Sequence, residues 1–261
     1  MRLEMSPERR VIVDIDDDPP DVELSIHSLG TEHIGMRGVL SLADLLADTG
    51  VCLKVETSLA LYGFPLIRLL REKGFRVFAD TKAFYLGRAM EGVARRLKPY
   101  APAFATVACR AGKEAMAIFK DALPDTIVLG VTVPTDQKEP SRGFATIAEE
   151  VMHLATLSND AGVDGLVLAP GELLKIRLNF PDMILVTPNQ RPCWGMVEKD
   201  DQNPDRGGTP ELSLTWGADH LVVGKPVKHY VNPDTGEVDI WAGVSRFVGD
   251  VRAKSTELRI G

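Results

Sequence analysis

Eight short apolar runs, each followed by a helical pattern, limit what this chain can fold into more than any other feature. They lie at residues 11–15, 51–55, 75–79, 103–108, 126–132, 165–169, 183–187 and 220–223. None alternates cleanly between apolar and polar residues, as expected of parallel strands covered on both faces. Amphipathic helical patterns fill the intervals at 40–47, 64–73, 85–97, 111–123, 144–161, 171–179 and 210–216, with a last one at 241–258. The punctuation fits: Gly74 follows one helix as a natural C-terminal residue, and Thr209 with Pro210 opens another as cap and first position. Eight βα units in 261 residues match the number and size of a TIM (β/α)8 barrel. An open doubly wound sheet is the competing architecture, but the turn after the first run has no Gly-x-Gly-x-x-Gly. No linker or low-complexity segment breaks the chain, so residues 1–261 are expected to form one barrel domain.

In such a barrel the chemistry sits at the C-terminal ends of the strands. The runs here end in polar groups: Asp14 and Asp16 after the first, Lys54 on the second, Asp80 and Lys82 on the third. Thr132 and Thr135 follow the fifth, Thr187, Gln190 and Arg191 the seventh, and Gly224-Lys225 the eighth. In an extended chain residues two apart point the same way, so Asp80 and Lys82 share one space. Taken alone they are read equally well as a structural ion pair closing the strand. Two lysines and two acids, Lys54, Lys82, Asp16 and Asp80, gathered on one face form an electrostatic device rather than a stabilising one. The late loops add Gln202, Arg206, Gly207, Gly208 and Gly224-Lys225, the glycines and cations that cradle a phosphate after the last strands of many barrels. The residues therefore point to an enzyme for a small phosphorylated substrate.

Composition removes other classes. The net charge of −7 argues against nucleic acid or an anionic membrane as the main partner. No apolar run is long enough to span a bilayer, and the N-terminal residues lack a signal-peptide core. Cys52, Cys109 and Cys193 are widely spaced and fit reduced thiols in a cytoplasmic protein. The five histidines show no metal spacing, so no metal site is expected.

The strand-ending Lys54, the Asp80-Thr81-Lys82 motif, Thr187-Pro188-Asn189-Gln190-Arg191-Pro192, Asp201-Gln202 and Thr209-Pro210-Glu211 follow one another in a telling order. They lead to Gly217-Ala218-Asp219-His220-Leu221-Val222-Val223-Gly224-Lys225-Pro226-Val227. In this order the chain resembles the orotidine 5′-phosphate decarboxylase family, with the C-terminal block the most specific part. The resemblance implies a cofactor-independent decarboxylation giving UMP in pyrimidine nucleotide biosynthesis. Lys82 would stabilise and protonate the carbanion at C6, Asp80 would flank the departing carboxylate, and Lys54 would complete the charge chain and touch the ribose. Asp16 would bind a ribose hydroxyl, Thr135 would touch the pyrimidine, and Gln202, Gly224 and Lys225 would hold the 5′-phosphate. A homodimer is implied, with active sites at the subunit interface.

The chain departs from the family pattern at several points. The family motif is Asp-x-Lys-x-x-Asp, its last acid reaching the partner subunit's site; here that position is Tyr85, and a tyrosine carries no charge at neutral pH. The phosphate-binding arginine is Lys225, which lacks the bidentate fork, and Arg206 is the candidate to compensate. Ala108 stands where a histidine is common, and the loop at about 17–38 is longer than usual, as a lid or a reshaped entrance would be. These departures keep two further readings in play: a diverged barrel for another nucleotide or sugar phosphate, and a non-catalytic nucleotide-binding homologue.

Overall fold

The structure, a computed structural model, describes residues 5–16, 34–195 and 206–260. Its centre is a closed barrel of eight parallel strands in sequential order. The strands are β1 (Val11–Asp14), β2 (Cys52–Val55), β3 (Arg76–Ala83), β4 (Phe104–Ala108), β5 (Ile127–Val131), β6 (Gly165–Val167), β7 (Ile184–Thr187) and β8 (His220–Val223). β8 closes on β1 through the register Val11↔Leu221, Ile12↔Val222 and Val13↔Val223. The described helices are α1 (Pro7–Arg10), α2 (Ile34–Leu45), α3 (Thr57–Tyr62), α4 (Pro65–Glu72), α5 (Gly87–Leu97), α6 (Lys113–Ala122), α7 (Ile147–Asp160), α8 (Leu173–Asn179), α9 (Pro210–Thr215), α10 (Lys225–Lys228) and α11 (Ile240–Ile260). None among the described residues is long and apolar enough to cross a membrane. The barrel architecture expected from the sequence is thus the one observed.

The strands bury both faces, and each face has its own partner. Val11, Val13, Leu53, Val77, Ala105, Val128, Leu166, Leu185 and Leu221 pack outward into the helix-facing core. Ile12, Cys52, Phe78, Phe104, Leu129, Val186 and Val222 form a separate cluster inside the barrel. Period-two alternation therefore exists, but both halves are apolar, which is why the sequence shows unbroken hydrophobic runs. Near the barrel floor Phe104 packs edge-on to His220 at 5.0 Å and tilted against Phe78 at 5.7 Å. The Arg76 guanidinium lies 5.2 Å from the Phe104 ring centre.

Local differences from the sequence reading have simple causes. The helix expected over 64–73 is preceded by a separate short one, α3, broken from α4 at Gly63, whose φ of 69° is left-handed. The helix expected from Tyr85 starts only at Gly87, because β3 runs on through Asp80-Thr81-Lys82 to Ala83. α9 follows its expected start: the Thr209 side chain accepts from the Leu212 N–H, with Pro210 in the first turn.

Candidate active site

The inward parity that builds the barrel core also builds the mouth above it. On β1, Ile12 is followed two residues later by Asp14; on β2, Cys52 by Lys54; on β3, Phe78 by Asp80. Asp14, Lys54 and Asp80 line a cavity of about 540 Å3 together with Glu56, Lys82, Thr135, Asp136, Arg191, Gly224, Lys225 and Lys228. Val131, Val167 and Val222 form part of its apolar wall.

Lys54 is the centre of the charged arc. Its Nζ donates to Asp14 Oδ2 at 2.9 Å and Glu56 Oε2 at 3.1 Å, and lies 3.5 Å from Asp80 Oδ2. Lys82 Nζ donates to the same Asp80 Oδ2 at 2.9 Å and pairs with Glu56 Oε1. Two ammonium groups and three carboxylates are thus interleaved. Burial opposes charge on Lys54, but Asp14, Asp80 and Glu56 outweigh it and hold its pKa well above the ordinary lysine value. Burial likewise opposes charge on Asp80, but Lys54, Lys82 and the Thr106 hydroxyl hold its carboxyl below the usual range.

The end of β3 is not a simple extended strand. Lys82 has φ of 39°, a left-handed conformation rare outside glycine, and the pairing with β4 shifts register between Ala79 and Ala83. Thr106 on β4 holds this bulge together. Its hydroxyl donates to Asp80 Oδ1 at 2.7 Å and accepts the Lys82 N–H at 2.8 Å, while its carbonyl accepts the Thr81 hydroxyl at 2.6 Å. Bulges beside functional sites re-aim side chains. Here the bulge aims Lys82 into the cavity beside Asp80, the shared direction the i, i+2 spacing predicts.

The other sequence candidates divide. Thr135, Gly224 and Lys225 line the same cavity. A Cβ on Gly224 would sit 3.3 Å from the Asp14 Cβ, so a glycine lets the end of β8 close against β1. Asp16, expected to reach toward the substrate, has its carboxylate occupied elsewhere. Oδ2 accepts the N–H groups of Glu56 and Thr57 at 2.7 and 2.9 Å, and Oδ1 that of Ser58 at 3.1 Å, capping the turn into α3. The acid that β1 presents to the cavity is Asp14. Arg206 is buried and tied to Glu172 and to the Pro134 and Val133 carbonyls, so it ties the 134 loop to the turn before α8. Tyr85 is 48% exposed and is not among the described residues that line the cavity. Gln202 lies outside the described residues.

Glu56 is the residue the sequence reading missed. It falls one residue past β2, two after Lys54, and that parity was the available signal. Arg191, named only as a strand-ending group and part of a motif, and Lys228 were not singled out as site residues, yet both line the cavity. Parts of the most specific sequence block serve the fold. Asp219 accepts the Leu185 N–H at 2.8 Å and pairs with Arg177 at 2.7 Å. Gly217, with φ of 96°, offers its carbonyl to the same arginine. Trp194 is turned to α11, its Nε1 donating to Asp250 at 2.7 Å, rather than over the cavity.

Comparison with known proteins gives one consistent result. Orotidine 5′-phosphate decarboxylase of Thermobifida fusca is 34% identical over 188 residues, covering 69% of this chain and 79% of that protein. The enzyme of the same name from Pseudomonas fluorescens Pf-5 is 31% identical over 215 residues, covering 78% and 90%. Among solved structures, orotidine 5′-phosphate decarboxylase from Lactobacillus acidophilus superposes with a TM-score of 0.69 at 24% identity, covering 94% of this chain and 99% of that one. An uncharacterized conserved protein from Geobacillus kaustophilus gives 0.68 at 18% identity, covering 91% and 99%. At those identities the two structures speak for the fold alone. A sequence model of the orotidine 5′-phosphate decarboxylase / HUMPS family matches residues 18–235, and with relatives above 30% identity over more than two thirds of its length, this chain belongs to that family.

Proposed function

We propose that the protein decarboxylates orotidine 5′-phosphate to UMP without a metal or organic cofactor. The observation that carries this reading is the meeting of Lys54, Asp80 and Lys82 with Gly224 and Lys225 around one cavity. In the proposed step the bond from C6 to the carboxylate breaks, carbon dioxide leaves, and the electron pair stays on C6. The Lys82 ammonium stabilises that pair and delivers a proton to C6, and the neutral lysine regains its proton from water. Asp80, held by Thr106, faces the departing carboxylate and orients Lys82. Lys225, with Arg191 and Lys228 on the same arc, attracts the 5′-phosphate, whose binding free energy is spent at the ring. Thr135 is the polar group proposed to touch the pyrimidine.

We further propose that the active unit is a cytoplasmic homodimer. Phe84, Tyr85 and Leu86, directly after the strand that carries Lys82, are 61%, 48% and 77% exposed, an apolar patch suited to a second copy. Sedimentation of the purified chain tests this: a monomeric mass at micromolar concentration would overturn it.

Turnover tests the function. Purified protein mixed with orotidine 5′-phosphate should release carbon dioxide and UMP in equal amounts, and no release at high enzyme concentration would reject the reading. The second reading, a diverged barrel for another nucleotide or sugar phosphate, is favoured by the neutral Tyr85 and by the turn of Asp16 away from the cavity. A panel of carboxylated nucleotides and sugar phosphates separates the two. A non-catalytic homologue would bind nucleotide monophosphate and turn over none of them.

A further inference from the structure

Glu56 occupies a position that neither the motif nor stability explains. Its two oxygens go to different lysines, Oε2 to Lys54 Nζ at 3.1 Å and Oε1 to Lys82 Nζ. No other described carboxylate except Asp80 touches both ammonium groups. Its side chain and that of Lys82 are each 38% exposed, and half-exposed ion pairs stabilise a fold little. Its backbone is nonetheless fixed. The Glu56 N–H is held by Asp16 Oδ2 at 2.7 Å, and the next two N–H groups bind the same carboxylate. Asp16 therefore sets the turn that points Glu56 back over the mouth. With Glu56 the cluster of Asp14, Glu56, Asp80, Lys54 and Lys82 carries one excess negative charge; without it the cluster is neutral.

We infer that Glu56 is a positioning residue for Lys82, a carboxylate from the same chain that holds the ammonium over the cavity beside Asp80. It supplies there the negative charge that the Tyr85 position does not carry. Lys82 has a four-carbon stem on a bulged strand, and Asp80 alone fixes its Nζ from one side. Glu56 fixes it from a second direction and links it to the rigid, buried Lys54. The consequence for the reaction rests on the decarboxylase reading, but the contact itself does not.

The test uses the full chain with Glu56→Gln and Glu56→Asp. First, an amine-directed acylating reagent is applied to the protein without substrate, and modification of Lys82 is followed by peptide mass spectrometry, with exposed Lys98 as internal control. Removing a carboxylate beside an ammonium should raise the Lys82 rate about tenfold in Glu56→Gln and leave Lys98 unchanged. Second, with orotidine 5′-phosphate, kcat should fall about 100-fold in Glu56→Gln, with KM within about threefold of wild type. Glu56→Asp should recover part of the loss. Equal Lys82 reactivity in wild type and variant overturns the inference, as does a rise in KM with kcat unchanged. If the wild type shows no turnover, the decarboxylase reading fails, and the acylation rates still decide the role of Glu56. Should Glu56→Gln fail to fold, Glu56→Ala, which also removes the carboxylate, gives the same comparison.

Discussion

Within the barrel, two neighbouring layers carry opposite chemistry, the lower one fully buried and the upper one buried at Lys54 and Asp80 but partly open at Asp14. Ile12, Cys52 and Phe78 sit in the middle layer; two residues on, at the same parity, are Asp14, Lys54 and Asp80. Below, each large apolar side chain gains about 1.5–3 kcal/mol from leaving water. Above, desolvating each ion costs several kcal/mol, offset only by its charged neighbours. The titratable groups register the contrast. In the lower interior burial prevails and keeps groups neutral: the Cys52 thiol is pushed up to about 12 and His220 down to about 4. In the upper layer the neighbours prevail over burial, raising Lys54 and lowering Asp80. The lower layers are built to be dry, the upper one to hold charge where a substrate can meet it.

Four changes test this contrast, in order of decreasing effect. Lys82→Ala should lower kcat/KM for orotidine 5′-phosphate about 10,000-fold while the urea midpoint stays near that of wild type, because Lys82 is half-exposed. A comparable loss of stability would mean the upper layer is structural after all. Lys54→Met leaves Asp14 and Asp80 without their buried partner and should cost about 4 kcal/mol in urea unfolding. A deficit under about 1 kcal/mol would mean water reaches these carboxylates freely.

The third is a pH dependence of the floor. His220 is buried and neutral; burial, with the Arg76 charge next, lowers its pKa to about 4 from 6.5, while its Nδ1 donates to the Arg9 carbonyl at 3.0 Å. A depressed folded pKa means the unfolded chain takes up the proton first. The stabilisation is therefore complete above about pH 6.5 and is lost as the pH falls toward 4, a change of about 3 kcal/mol. The difference in unfolding free energy between pH 7 and pH 4.5 should be smaller in His220→Leu; an identical slope would place the titration elsewhere. The smallest effect is Ile12→Val in the middle layer, about 1 kcal/mol of stability with kcat unchanged. A change in kcat would show that the lower layer positions the charges above it.

Much of this arrangement was legible in the residues. The eight apolar runs gave the strands because a parallel barrel buries both faces, and Thr209-Pro210 gave the start of α9 because cap chemistry is local. Asp80 and Lys82 could be paired in advance from their spacing, although in the structure it is the bulge held by Thr106, and not an extended strand, that aims Lys82 beside Asp80. Asp16 and Arg206 could not be placed, because each looks like a ligand-binding group until its hydrogen-bond partners are known. Those partners are the backbone of 56–58 for one, and Glu172 with two carbonyls for the other. Glu56 was not legible because it lies past its strand, at the turn into α3, where strand parity no longer fixes direction; the turn is set by Asp16, 40 residues away in the chain, which binds the N–H groups of residues 56–58.

The sequence by itself determined the barrel, the order of its strands and the set of charged residues at their ends, since hydrophobic period and chain order are properties of the chain alone. Tertiary structure decided which carboxylate meets which lysine. Lys54 is 40 residues from Asp14 and 26 from Asp80, and only the pairing of β1 with β2 and of β2 with β3, in their particular register, brings them within 3.5 Å. Which ions remain charged depends in turn on that geometry, because desolvation and pairing nearly cancel and the outcome turns on a few ångströms.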